Sequence, residues 1–145
     1  DAAMTRAMMV TILWRMEKEP AALKSNFTDL TADWYRTAVD WAAETGVVNG
    51  VGNGKFAPNA TLSLEQLITI LYRYAENKGY NVSKSASLDS FTDGSASGVS
   101  SFAEDAMQWA VGMNFLSGNT LTPCAPASRA QIAQVLMLFC KAYIK

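Results

Sequence analysis

An internal repeat constrains the fold of this chain more than any other feature of its sequence. Residues 34–50 (WYRTAVDWAAETGVVNG) align with residues 102–118 (FAEDAMQWAVGMNFLSG) at a shift of 68, which pairs Ala, Trp and Gly with identical residues. The matched positions follow helical spacing, so each segment is predicted to form a short amphipathic helix. Gly46 supplies a left-handed stop for the first helix, and Asn114, which tolerates that conformation, stands at the equivalent position in the second.

Residues that favour helix N-termini precede both short segments. Ser101 followed by Glu104 has the spacing of a capping box, and Thr31 or Asp33 can cap the earlier helix. We therefore expect a side-chain cap at the start of each short helix.

Three longer apolar segments also share one pattern. Thr5, Ser63 and Ser128 precede them as candidate N-caps. The matched apolar positions are 9, 10, 12, 13 and 16, then 67, 68, 70, 71 and 74, then 132, 133, 135, 136 and 139. We expect three long helices that need one another to bury these faces. The chain therefore contains two complete units and the second half of another.

The segments between the helices carry turn residues. Gly, Asn and Pro punctuate residues 50–62 and 118–127, which predicts turns and short extended pieces. The Ser-rich stretch 81–90 is predicted to be an exposed connector.

Length and charge limit the classes of protein that this chain can represent. Its 145 residues, half of them hydrophobic, suffice for one compact domain with a core of useful size. The net charge of −1, without a run of Lys or Arg, argues against a nucleic-acid partner. No apolar stretch approaches the roughly 20 residues of a transmembrane helix. No leader of secretory type is recognisable, so we expect any export signal to lie outside these residues or to be absent.

The sequence offers no arrangement suited to catalysis, a metal or a cofactor. Histidine is absent, and two cysteines are too few for a zinc site. Cys140 lies about 18 Å along a helix that is predicted to start near Ser128, too far from Cys124 for a disulfide. Glu104 and Asp105 are adjacent on a helix, so they point in different directions and do not flank one bond. The loop at 93–98 lacks the ligand density of a calcium loop. We therefore expect a protein that is not an enzyme and needs no cofactor, with Cys140 as a small buried thiol.

The order of these motifs resembles the S-layer homology (SLH) repeat. FTDL at 27–30, the Trp-containing helix, Gly-x-Phe-x-Pro and an apolar helix follow one another as they do in that family, and Thr-Arg-Ala precedes the first long helix. The resemblance divides the chain into 1–20 (the C-terminal half of repeat 1), 27–78 (repeat 2) and 91–145 (repeat 3), which together form one domain. The last repeat has a rearranged central loop.

The resemblance implies a fold and a function. The expected fold is mostly α-helical, a pseudo-threefold repeat assembly with a central three-helix bundle and prongs of loops and short helices. The expected function is non-catalytic anchoring of an exported protein at the bacterial cell wall or S-layer. The expected ligand is an anionic secondary cell-wall polysaccharide, often pyruvylated, that binds in grooves between repeats.

The family's Thr-Arg-Ala arginine is a ligand residue, and Arg6 and Arg129 match it while Leu64 does not. A guanidinium pairs bidentately with a carboxylate, and the first turn of a helix favours an anion. In the alternative interpretation these arginines pair with Asp29 or Asp93 and only organise the loops.

The glutamate of the family motif is missing from all three copies. Met8, Gln66 and Gln131 stand in its place, and a glutamine retains a hydrogen bond but no charge. Gln131, which lies beside Arg129, is therefore kept as a candidate contact. Leu64 is expected to leave any groove that depends on it unable to hold an anion.

Aromatic residues and one lysine complete the candidate site. Trp34 and Tyr35, near a helix start, could contact sugars, and Lys55 on a turn could meet an anionic glycan. Trp41 and Trp109 recur at helical spacing and are assigned to the core.

Two functions are consistent with these residues. The first is the anchor that binds polysaccharide. The second is a degenerate SLH module that keeps the fold and serves as a structural or protein-interaction domain, as Leu64 and the missing glutamates allow. The incomplete first repeat also suggests self-association with a second molecule.

Overall fold

The computed structural model describes residues 3–91 and 98–144, and this part of the chain is mostly helical. Within these described residues, a 3-10 turn, Ser101–Ala103, precedes the fourth helix, and only isolated β-bridges occur outside the helices. The helices are α1 (Arg6–Met16), α2 (Asp33–Thr45), α3 (Leu64–Asn77), α4 (Glu104–Gly112) and α5 (Arg129–Tyr143). The mostly α-helical fold class is confirmed.

The chain forms two compact units. One consists of Met4–Thr61 and contains α1 and α2. The other consists of Leu62–Lys145 with Asp1–Ala3 and contains α3, α4 and α5. The second sequence repeat is therefore divided, because its short helix α2 lies in one unit and its long helix α3 in the other.

Each short helix packs against the long helix that precedes it in the chain. Helix α2 packs on α1, and α4 packs on α3. The short helices bury small residues, Ala38 and Ala42 in α2 and Ala110 in α4, which permit close approach. Trp41 and Trp109 are 5% and 1% exposed, which confirms their assignment to the core.

The starts of the long helices follow the sequence prediction. Thr5, Ser63 and Ser128 are the N-cap residues of α1, α3 and α5, and each caps its helix through the side-chain oxygen. The stops of the short helices are also as predicted. Gly46 ends α2 with φ 77°, and Asn114 follows α4 with φ 62°.

The predicted side-chain caps of the short helices are wrong. The N-cap of α2 is Ala32, and the Thr31 hydroxyl lies beside the Tyr35 hydroxyl at 3.4 Å instead of capping the helix. Helix α4 begins after the 3-10 turn, and neither of its cap positions makes a side-chain hydrogen bond. A tertiary contact stands in for the second cap, because Glu65 Oε1 accepts a hydrogen bond of 2.9 Å from the Ser100 amide.

The stretch 81–90 is only partly the exposed connector that its composition predicts. Leu88 is buried, and the Ala86 amide donates to the Gln108 carbonyl at 3.0 Å. A Cβ on Gly112 would lie 2.8 Å from the Ser85 backbone, so the glycine allows the connector to pack against the end of α4.

Helix α5 is less buried than its repeat equivalents. Ile132, Val135 and Phe139 are buried, whereas Ala133 is exposed and Met137 is 48% exposed. Both cysteines are free, and Cys140 is half-buried, so its predicted assignment as a small buried thiol is only partly met. The FTDG motif at 91–94 lies mostly outside the described residues, as do Asp93 and nearly all of the 93–98 loop.

Candidate functional site

The three long helices begin with the same capping box. In each, the N-cap hydroxyl accepts from the amide of the third helical residue, and that residue's side chain accepts from the N-cap amide. Gln131 Oε1 accepts from Ser128 N at 3.1 Å, and Gln66 Oε1 accepts from Ser63 N at 2.9 Å. The glutamines that replace the family's glutamate therefore cap the helix, and Gln131 retains its NH2 group for other contacts.

Arg6 lies in the first turn of α1 and is only 8% exposed. Its Nε donates to the Phe56 carbonyl at 2.9 Å, and its Nη2 donates to the Asn49 carbonyl at 2.8 Å. The guanidinium carbon also lies 4.8 Å from the centroid of the Phe56 ring. Burial lowers the pKa of Arg6, partly offset by the negative charge of Asp29. Arg6 therefore clamps the loop between Asn49 and Phe56 to the start of α1.

Asp29 holds the same loop through its amide groups. Its two carboxylate oxygens accept from the Phe56 amide at 2.9 Å and the Ala57 amide at 2.8 Å. Desolvation raises the pKa of Asp29, but the hydrogen bonds from these amides and the charge of Lys55 outweigh it, so the pKa lies below its ordinary value. Arg6 and Asp29 therefore hold the same loop through separate backbone contacts, and the described residues show no ion pair between them of the kind that the alternative interpretation expects.

The first amides of α1 and α3 are already paired. In α1, Arg6 N donates to Ala60 O and Ala7 N to Pro58 O, both at 2.9 Å. In α3, the amides of Leu64 and Glu65 donate to carbonyls of residues 125 and 123, at 3.2 and 2.9 Å. The N-cap hydroxyls take the third amide of each helix. These two helix starts therefore have few amides left for an anion, contrary to the expectation from sequence.

Leu64 lies in the first turn of α3, where α1 has Arg6. It lines a cleft of about 370 Å³ together with residues of the 115–117 segment and of α5. The described residues that line this cleft carry no charged side chain: Leu64, Phe115, Leu116, Ser117, Ser128, Ala130, Gln131, Gln134 and Val135. Sequence analysis did not identify Ser117 or Gln134, because neither belongs to a recognisable motif.

Arg129 contrasts with Arg6, although both open a long helix. It is exposed, and the described part of the chain provides no hydrogen bond or ion pair to its guanidinium. The first turn of α5 contains no acidic residue. Asp93, the partner that the alternative interpretation offers Arg129, lies outside the described residues.

The remaining candidates lie in the unit of Met4–Thr61. Trp34 is 53% exposed, as is its repeat equivalent Phe102 at 55%, so an aromatic face at this position is open to solvent in both copies. Tyr35 is buried, and its hydroxyl accepts from the Thr31 amide at 3.0 Å. Lys55 is exposed on the loop that Arg6 and Asp29 hold. The six predicted site residues thus belong to two units, with Arg129 and Gln131 in the second.

Comparison with known proteins identifies a domain family within the chain. Residues 26–68 match the S-layer homology domain. The match covers most of the first complete repeat, from FTDL to the first turns of α3. The numbers and limits of the other repeats stay predictions.

Much longer proteins are similar to half of the chain or more. An endoglucanase of Bacillus sp. (strain KSM-635) is 31% identical over an alignment of 141 residues that covers 92% of this chain and 14% of the relative. The surface-layer 125 kDa protein of Lysinibacillus sphaericus is 31% identical over an alignment of 138 residues that covers 90% of this chain and 11% of the relative. A cell surface protein of Thermoanaerobacter kivui is 34% identical over an alignment of 80 residues that covers 50% of this chain and 10% of the relative. The chain therefore spans between 10% and 14% of the length of these relatives.

These similarities support a cell-envelope anchoring module located at the cell wall or cell surface. The S-layer homology domain is itself a non-catalytic module that binds cell-wall polysaccharide. Among the residues that the structure describes, no helix is long and apolar enough to cross a membrane. Within residues 3–91 and 98–144, no group of three or more His, Cys, Asp or Glu side chains could hold a metal ion.

Proposed function

We propose that this module anchors its parent protein by binding an anionic secondary cell-wall polysaccharide, such as a pyruvylated one, with Arg129 as the principal anion contact. The exposed guanidinium of Arg129 carries the proposal, because it has no acidic neighbour in its helical turn and no partner among the described residues. A guanidinium forms two parallel hydrogen bonds with a carboxylate, which suits an acidic sugar better than a neutral one.

The other candidates have supporting roles in this proposal. Trp34 offers an exposed aromatic face on which a sugar ring can stack, and Lys55 adds an exposed positive charge. Arg6 contributes mainly by ordering the loop that carries Lys55, since its guanidinium already binds two loop carbonyls. The Tyr35 ring packs edge-to-face against the Trp34 ring, with a ring-centroid distance of 5.0 Å, and so helps to position it.

Co-sedimentation with purified cell-wall sacculi tests the proposal. We expect the wild-type protein to pellet with the sacculi and Arg129→Ala to remain largely in the supernatant. Lys141→Ala is the matched control, because Lys141 is an exposed cation in the last turn of the same helix. Equal pelleting of Arg129→Ala and the wild type would exclude Arg129 as the principal contact.

A second candidate function is a structural or protein-interaction module that associates with a second copy. The apolar surface of α5 favours this function. Ala133 is exposed, whereas its equivalents Val10 and Ile68 in the other two long helices are buried. Met137 is 48% exposed, and its equivalents in those helices are larger aromatic residues. Sedimentation velocity tests this function. We expect a concentration-dependent dimer that Met137→Lys disrupts, whereas a monomer at all concentrations would contradict it.

A further inference from the structure

The cleft beside Leu64 differs from the Arg129 surface in its chemistry. Its lining includes five apolar residues, of which Leu64, Phe115 and Val135 are buried and Leu116 and Ala130 are more accessible. Its polar groups are the hydroxyls of Ser117 and Ser128 and the amides of Gln131 and Gln134. Its volume of about 370 Å³ lies at the lower end of the range for small-molecule sites, about 300–1,000 Å³. The cleft therefore has room for a small ligand with both polar and apolar surface.

The repeat explains why the cleft exists. In the unit of Met4–Thr61, the Arg6 guanidinium reaches the Asn49 carbonyl. The residues equivalent to Arg6 and Asn49 are Leu64 and Ser117, and both line the cleft. Because leucine has no guanidinium, the space beside Ser117 stays open. The substitution thus removes a positive charge and creates a cavity at the same place.

We propose that this cleft is a subsite for an uncharged pyranose, next to the anion contact at Arg129. This inference rests on the proposed function, since it names a second sugar that the same polysaccharide would present. The C–H face of a pyranose is apolar and suits the accessible apolar surface of Leu116 and Ala130, while its hydroxyls both donate and accept, as serine hydroxyls and glutamine amides do.

An acidic sugar is disfavoured in the cleft for an electrostatic reason. A carboxylate that enters would lose water, and the described lining residues offer no cation in return. Arg129 precedes Ala130, which lines the cleft, but its own side chain is not part of the lining. The two contacts therefore select different sugars: Arg129 an acidic residue and the cleft a neutral one.

Two of the polar groups have hydrogen-bonding capacity left for a ligand. Gln131 uses its amide oxygen in the capping box, so its NH2 group remains as a donor. Gln134 is exposed, and the described part of the chain gives its amide no hydrogen bond. The residues equivalent to Gln134 are Thr11 and Thr69, which are buried and donate to the carbonyl four residues earlier. At this repeat position, α5 therefore offers the cleft a polar side chain, whereas α1 and α3 use theirs within the helix.

Titration of the ¹⁵N-labelled chain with matched methyl glycosides tests the inference. The probes are the methyl β-glycosides of glucose and glucuronic acid, and those of galactose and galacturonic acid, because each pair differs only at C6. We expect at least one neutral member to shift the amide signals of Ser117 and Gln131 saturably, and its acid partner to leave them unshifted. Absence of saturable shifts with both neutral sugars, or equal binding of the acids, would overturn the proposal.

Variants localise the binding. Gln134→Ala should weaken the neutral glycoside about fivefold, the equivalent of one hydrogen bond. Gln108→Ala, on α4 and outside the cleft lining, should leave the affinity unchanged. Leu64→Arg should abolish binding of the neutral sugar and introduce binding of the acid. If this last variant does not fold, the Gln134 and Gln108 pair still decides the matter, because equal affinities of those two variants would contradict the cleft assignment.

The outcome is separable from that of the proposed function. If sacculi bind the wild type in an Arg129-dependent manner but no neutral glycoside shifts the cleft amides, only the cleft proposal fails. If the protein neither binds sacculi nor the glycosides, both proposals fail.

Discussion

The starts of α1 and α3 share one backbone arrangement but carry different side chains at their first position, Arg6 and Leu64. In both, the first two amides donate to loop carbonyls, and a capping box closes the turn. Arg6 fills the space beside the loop in the first case, whereas Leu64 leaves a cleft in the second. Backbone pairing and capping therefore maintain the repeat, so the side chain of the first helical residue can change from a structural cation to part of a pocket lining.

The largest loss of stability is expected when Arg6 at the start of α1 is replaced by the leucine found at the start of α3. Arg6→Leu removes a buried guanidinium that donates two hydrogen bonds, and the carbonyls of Asn49 and Phe56 then lack this donor. We expect it to reduce the free energy of unfolding by about 2–4 kcal/mol. Urea unfolding followed by circular dichroism measures this loss.

Arg15→Leu is the control, since Arg15 is exposed in the last turn of the same helix. It should change the stability by less than about 0.5 kcal/mol. Equal stabilities of the two variants would show that Arg6 does not hold the loop.

The glycines that end the repeated segments 34–50 and 102–118 are expected to tolerate replacement by alanine to different degrees, for steric reasons. A Cβ on Gly50 would lie 2.6 Å from a ring carbon of Phe27 and 2.7 Å from the Lys55 carbonyl oxygen, whereas Gly118 has open space but a φ of 105°. We expect Gly50→Ala to cost about 1–3 kcal/mol through overpacking. Gly118→Ala should cost about 1 kcal/mol through backbone strain. Thermal unfolding of both variants measures the order, and a larger loss for Gly118→Ala would contradict it.

A smaller effect is expected from Asp29, which lies in the Arg6 region. Because folding lowers the pKa of Asp29, its carboxylate contributes stability that is fully present above the ordinary Asp pKa of about 3.9 and is lost as the pH falls through the lower folded-state pKa. Asp29→Asn should cost about 1 kcal/mol at neutral pH, through one amide left without its acceptor.

Urea unfolding of wild type and Asp29→Asn between pH 2 and pH 7 measures both effects, with the pH range set by the ordinary Asp pKa of about 3.9. The wild type should lose its advantage at the acidic end. A stability difference that is independent of pH would contradict the assignment of the charge.

The smallest effect on stability is expected at Arg129. Its guanidinium is exposed and has no partner in the described part of the chain, so Arg129→Ala should change the free energy of unfolding by less than about 0.5 kcal/mol. Urea unfolding beside Arg6→Leu gives the contrast directly. A loss as large as that of Arg6→Leu would show that Arg129 is structural.

Local features of the fold were predictable from sequence, and features that depend on distant contacts were not. Thr5, Ser63 and Ser128 were identified as caps because a capping box involves residues only three apart. The cap predicted at Ser101 was wrong, because Glu65, far away in sequence, accepts the hydrogen bond of the neighbouring Ser100 amide. The pseudo-threefold arrangement and the central bundle stay predictions.

The candidate site follows the same rule. The equivalence of Arg6, Leu64 and Arg129 came from the repeat, and a ligand role at these positions stays a prediction. Whether an arginine at such a position is buried depends on the loop that packs over it, which sequence spacing does not reveal. Gln134 was missed because its role arises from the cleft that the shorter Leu64 side chain leaves beside α5.

The central claim is that the buried Arg6 builds the fold, whereas the exposed Arg129 binds an anion. Isothermal titration calorimetry with purified secondary cell-wall polysaccharide tests it most directly, before and after the polysaccharide carboxylates are converted to amides. We predict that the wild type and Lys141→Ala bind the native polysaccharide with equal affinity. Arg129→Ala should bind it at least tenfold more weakly, which corresponds to a loss of about 1.4 kcal/mol in binding free energy. Amidation of the polysaccharide should weaken binding by the wild type to the same level. Undiminished binding by Arg129→Ala, or by the wild type to the amidated polysaccharide, would contradict the claim.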